Sequence, residues 1–308
     1  MNRRIYFFSL VFLSVVWAGH LVLINVISKS LPVNMTGFCV RAGTLIILTF
    51  ALAVSARFSK LRIKQPAVLG LLLCVGILGF LLDFFSFLGL KNADSNIGTA
   101  LLKTDVIFSA LLSTFVFKNG PRFHVFDWLI ILCMLFGVFL ILDVNLIETN
   151  WTSTNMFFIL SALCVTLNAF LIQYIQSKYH LPNYVIAYYN NLFTMVFFAI
   201  FAFFFERENM FISRFSLHVL ILVVTAGVTQ SLIYLFYYQG LSIFPVWFVK
   251  SILLLMPVFS MLINFIVFQI VPSIKHLIGT TIVVGCAAYM LYMHRNVEKN
   301  NCGIQAKD

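Results

Sequence analysis

A chain of 308 residues that is 62% hydrophobic and only 10% charged has more apolar surface than a core can absorb, since a soluble protein is roughly 25% charged. Its net charge of +10 falls in short loops between apolar runs, so it speaks for membrane orientation and against nucleic acid as a partner. The six cysteines show no CxxC spacing, which leaves no disulfide framework, metal site or redox motif to expect.

A membrane-spanning helix needs about 20 mostly apolar residues. Ten segments meet that requirement: 5–27, 36–56, 67–90, 95–117, 126–143, 156–176, 184–205, 216–238, 246–268 and 276–293. The expected fold class is therefore an all-α integral membrane protein. Short connections carry the breakers: LPVN at 31, KQP at 64, KNGP at 118, LPN at 181 and VPS at 271. The first segment begins at Arg3 and Arg4 but runs well past the roughly 7–15 apolar residues of a secretory signal, so it reads as a span. The stretch from Arg295 to Asp308 is polar and reads as a short, disordered cytoplasmic tail. Lys and Arg in alternating loops divide twelve to five, which predicts both termini in the cytoplasm and a multi-pass protein of the cell (inner) membrane.

Shifting the sequence by 151 residues aligns 69–121 with 220–272 without a gap. FSFLGL (85–90) then lies on FYYQGL (236–241), and FSALLSTFVFKNGP (108–121) on FSMLINFIVFQIVP (259–272), the latter with six identities in fourteen positions. Two repeats follow, residues 1–147 and 151–293, ahead of a tail at 294–308. With five spans in each half, the second enters the membrane upside down relative to the first. Inverted repeats give secondary transporters two interchangeable gates around a midplane site.

Charges inside the apolar runs are the chemical signal. Each costs about 2.5–3.5 kcal/mol at a helix centre. Lys103 and Asp105 stand in the fourth segment, two residues apart and so on different faces. Counting rise per residue along continuous helices sets Asp83 and Lys103 at similar depth, about 10–12 Å below the outer edge, with Arg41 close by. Two readings stay open. Asp83 and Lys103 lock the hairpin structurally, with Asp105 on Arg41; or some of these groups line an aqueous cavity and contact substrate or a proton. Asp105, nearest the midplane, is the candidate for proton coupling. Lys250 lies five residues after Pro245, near the cytoplasmic edge, and either snorkels or joins the pathway. Trp17, His20 and Tyr234 are further candidates to line a cavity, as are Asn25, Asn168, Gln173, Asn190, Asn191, Tyr237 and Tyr238, with interhelical hydrogen bonding as the alternative role.

The chain resembles the drug/metabolite transporter superfamily, in particular its ten-helix EamA-type members, over residues 5–293. The resemblance rests on SVVWAGH (14–20), Arg41, the GL pairs at 89–90 and 240–241, MPVFSML (256–262) and IGTTIVVGCAAYML (278–291). It implies a carrier of small metabolites, often amino acids or their derivatives, frequently outward. No GxxxxGK[ST] loop is present, so ATP hydrolysis is not its own energy source. No HExxH or Gly-x-Ser-Gly run suggests an enzyme, and no cofactor or metal is expected. The reading is a secondary transporter of a small polar metabolite working by alternating access; the alternatives are a carrier of an organic anion or phosphorylated solute, and a non-transporting membrane protein. Expected partners are the substrate, the lipid bilayer and protons, with homodimerisation left open.

Overall fold

The computed structural model describes residues 3–92, 100–116, 125–142, 153–206, 216–269 and 271–305. These residues are all-helical, with no strand among them. The helices are α1 (Arg3–Ser30), α2 (Val33–Val54), α3 (Pro66–Asn92), α4 (Asp105–Val116), α5 (Val125–Ile141), α6 (Ser153–Tyr179), α7 (Asn183–Phe205), α8 (Leu217–Ile243), α9 (Val246–Ile252), α10 (Met256–Phe268) and α11 (Ile274–Gln305). Seven helical stretches among the described residues are long and apolar enough to cross a membrane, and 126–141 and 274–290 form shorter apolar helices. Large apolar side chains stand exposed along them, among them Phe50, Phe126, Phe204 and Phe205. That surface suits lipid and would be untenable in water.

Several sequence expectations need correction. The fourth segment is not one continuous helix. Its first part lies outside the described residues, and the backbone tightens at Lys103 and Thr104, whose N–H groups bond three residues back to Ala100 and Leu101. Helix α4 then starts at Asp105, so this carboxylate sits in a first turn rather than mid-helix. The ninth segment breaks at the matching place. A 3₁₀ turn at Leu253–Leu255 separates α9 from α10, with Pro257 in the first turn of α10, where its missing N–H costs no hydrogen bond. In the 151-residue register, Asp105 falls on Met256, the first residue after each break. The tail expected to be disordered continues α11 as far as Gln305; no Gly or Pro stands between Gly285 and Gly303 to stop it.

The packing keeps its pattern when the halves are exchanged. Helix α1 packs on α8 as α6 packs on α3; α2 packs on α8 as α7 packs on α3; and α2 meets α7 while α5 meets α11. Leu31-Pro32 and Leu181-Pro182 set the matching starts of α2 and α7, each with Pro at the N-cap. The α5–α11 contact requires glycine. A Cβ on Gly279 would lie 2.5 Å from the Gly137 carbonyl oxygen, and one on Gly137 would lie 2.9 Å from that of Gly279. Between the halves, α1, α3, α6 and α8 surround a central space capped by the two broken helices.

Candidate functional site

That space is a cavity of about 120 Å³ to which both halves contribute. The structure places Trp17, His20, Arg41, Asp83, Lys103, Asp105 and Tyr234 on its wall, together with Asn168, Asn190, Tyr237 and Tyr238. Lys250 lies behind the wall, joined to it through Asp105.

The partners differ from those that helix-depth counting suggests. Asp83 does not pair with Lys103, nor Asp105 with Arg41. Arg41 grips Asp83 instead, donating from both Nε and Nη2 to Oδ2. Its remaining nitrogen, Nη1, reaches Asn191 Oδ1 at 3.5 Å, and Asn191 Nδ2 donates back to the Arg41 carbonyl at 2.8 Å. The Arg41 guanidinium also lies 5.3 Å from the centre of the Tyr234 ring, within cation–π range. When α2 is laid on α7 from their shared Leu-Pro starts, Asn191 falls on Arg41. These two side chains therefore meet where matching helices cross.

Asp105 takes its partner from the other half. Lys250 Nζ donates to Asp105 Oδ2 at 2.8 Å. Lys250 is 1% exposed, so it does not snorkel to the membrane edge; its ammonium sits 5.3 Å from the Tyr237 ring centre. The first-turn N–H groups of Val106, Ile107 and Phe108 are already taken by the Lys103 and Thr104 carbonyls, so Lys250 is the main counter-charge of this carboxylate. The short segment from Pro245 carries Lys250 inward, since α9 is only seven residues long and wholly buried.

Lys103 is placed differently. It lines the cavity and is buried, and its Nζ donates at 2.9 Å to Met256 Sδ, a weak acceptor. His20 Nδ1 is 2.8 Å from Thr229 Oγ1. That hydroxyl also lies within reach of the Thr225 and Ala226 carbonyls of its own helix; when its one proton goes there, it accepts from Nδ1–H of His20. Trp17 meets the Tyr237 ring edge-on at 5.4 Å.

The uncharged polar groups divide between the two roles considered for them. Gln173 ties helices together, donating to the Leu241 and Phe244 carbonyls at 2.8 and 3.0 Å. Asn168 does both, lining the cavity while donating to the Val75 carbonyl at 2.9 Å. Asn190 lines it too and donates to the Tyr238 hydroxyl. Sequence reasoning missed Ser86, Ser161 and Gln230 on the wall, and Met256 as the neighbour of Lys103. It also missed Glu206, whose carboxylate accepts from the backbone N–H groups of Asn34 and Met35 at 3.0 and 2.9 Å. The 151-residue register was the available signal for Met256; a lone Glu at the end of an apolar run offered none.

Comparison with known proteins gives three results. A family model, that of the EamA-like transporter family, matches residues 4–143 and again 152–292. A solved crystal structure is 20% identical over 96% of this chain and 98% of its own, with a TM-score of 0.73, a likeness of fold alone. No curated protein matches the chain.

Proposed function

The chain belongs to the EamA-like transporter family and is a multi-pass membrane transporter; from that premise we propose that it is a secondary carrier of a small polar metabolite of amino-acid or amino-acid-derivative size. The observation that carries the reading is the charged cavity between the two halves, walled by both. A solute held there is reached from one face or the other according to which half rocks. That is alternating access around a fixed site.

The membrane arrangement belongs to the same reading. Ten spans, five in each of the repeats 1–147 and 151–293, place both termini in the cytoplasm of a cell (inner) membrane and invert the second repeat. The exchange of contacts between halves supports it. Tags at either terminus are then reached from the cytoplasm alone, and the loop at 144–155 from outside; termini found on opposite faces refute the inversion.

Export is the direction we favour, driven by protons taken up at Asp105. The Lys250 bridge shapes how that coupling works. A proton on Asp105 and a salt bridge to Lys250 compete for one carboxylate, so proton uptake and parting from α9 become one event. In proteoliposomes, Asp105→Asn combined with Lys250→Met should exchange solute between equal-pH compartments and fail to concentrate it under a proton gradient. Accumulation that survives in this double variant removes Asp105 from the coupling.

A further inference from the structure

Charge balance inside the cavity narrows the solute. Among the described residues, three cations (Arg41, Lys103, Lys250) face two carboxylates (Asp83, Asp105) at this site. Arg41 is matched by Asp83, and Lys250 by Asp105. Lys103 is left over. Its ammonium carries three donors, is buried, and has a thioether where an anion would bond far more strongly. Two tyrosines on the same wall also lack a partner: the Tyr234 and Tyr237 hydroxyls are buried and make no hydrogen bond among the described residues, which costs free energy until a ligand fills them. Tyr237 stands against the already paired Lys250, and Tyr234 does not. The Lys103 ammonium and two tyrosine hydroxyls thus face the cavity as donors awaiting an acceptor. An incoming ammonium would meet carboxylates already neutralised and a site of net positive charge.

We propose that the cavity recognises a small organic monocarboxylate, seated on Lys103 Nζ in place of Met256 Sδ and taking a hydrogen bond from the Tyr234 hydroxyl. An amine on the solute is then tolerated rather than read. One charge completes the balance, and a phosphate dianion would exceed it. Size is bounded as well. At roughly 10–15 Å³ per water-sized occupant, about 120 Å³ admits a solute of on the order of ten non-hydrogen atoms. Trp17, Phe87 and Tyr237 offer its apolar end an aromatic wall. The proposal rests on the carrier reading above and specifies the chemistry of its site.

The test is equilibrium binding to the full chain in lipid nanodiscs, by calorimetry and thermal shift. The probes are phenylacetate, 4-methylpentanoate, phenylacetamide and phenylethylamine. Both acids should bind, with the isosteric amide and the amine weaker by roughly 10- to 100-fold, the worth of one charge-assisted hydrogen bond. Lys103→Met should erase the preference for phenylacetate over its amide, Lys103→Arg should keep it, and Tyr234→Phe should weaken acid binding several-fold. Failure of both acids to bind, equal binding of amide or amine, or a preference surviving in Lys103→Met overturns the proposal. Should Lys103→Met fail to fold, the wild-type probe series and the Tyr234→Phe variant decide. Proteoliposome uptake separates the two readings. Acids that bind through Lys103 but never cross refute the carrier and leave the site; a solute that crosses without competition from phenylacetate refutes the site and leaves the carrier.

Discussion

Removing one end of the Lys250–Asp105 bridge should hurt unequally at its two ends. The contact is 2.8 Å long, with side chains 1% and 9% exposed, so neither charge has bulk water to fall back on. Breaking such a pair from one side typically costs about 3–5 kcal/mol, because the survivor is an uncompensated buried charge. Asp105→Asn strands Lys250 in a helix buried along its whole length, and the upper part of that range, about 4–5 kcal/mol, is expected. Lys250→Met strands Asp105 instead, which lines the cavity together with Lys103 as a second cation nearby; about 3 kcal/mol is expected, the lower end of that range. The double variant removes both charges and should return to within about 1 kcal/mol of wild type, since a buried pair and an apolar substitute are often near parity. Reversible unfolding in mixed micelles, followed by tryptophan fluorescence, reads all four corners of the cycle. Losses that simply add in the double variant, or a Lys250→Met variant less stable than Asp105→Asn, would refute the reasoning.

Other consequences are checked by the same assay or by simple relatives of it. Asp83→Asn and Arg41→Leu should couple by more than 1 kcal/mol in a double-mutant cycle, whereas Asp83→Asn and Lys103→Gln should add to within about 0.5 kcal/mol. Glu206→Ala removes the acceptor for two N–H groups at the start of α2; a loss of about 1 kcal/mol is expected, with faster deuterium exchange at Asn34 and Met35. Gly279→Ala drives a methyl against the Gly137 backbone and should lower the melting temperature measurably. Gly285→Ala, with nothing within 4 Å of its added carbon, should not.

Which charged residues line the cavity was largely legible in the sequence; their pairing was not. Arg41, Asp83, Lys103 and Asp105 announce themselves because an ionisable group in an apolar run is costly and needs company. Counting depth along unbroken helices then misleads. Depth places Lys103 opposite Asp83, but the turn at Lys103 and Thr104 re-aims both neighbours, turning Asp105 to Lys250 and Lys103 to Met256. No Pro or Gly marks that turn, as Pro257 marks its counterpart, so periodicity alone reads straight through it. Lys250 misleads for a related reason. Its distance from Pro245 suggests the membrane edge, yet α9 is a short inserted segment whose residues are all buried. The seam between α5 and α11 was hidden too, since GT at 279–280 looks like any small-residue step until the facing Gly137 is seen.

The crossing of α2 and α7 carries a lesson about ancestry. Matching positions there hold Arg41 and Asn191, bonded to each other in both directions. Two copies of the first half, assembled as separate subunits, would set arginine against arginine at this crossing, each still held by its own Asp83 but with no amide oxygen to receive its Nη1. In the 151-residue register Lys250 falls on Thr99, so such an assembly would also lack the ammonium that Asp105 accepts from. One covalent chain escapes both problems, because each half drifts independently and gives up a charge that the other retains. The backbone plan still looks duplicated while the chemistry has become one-sided. Neither half can any longer stand in for the other.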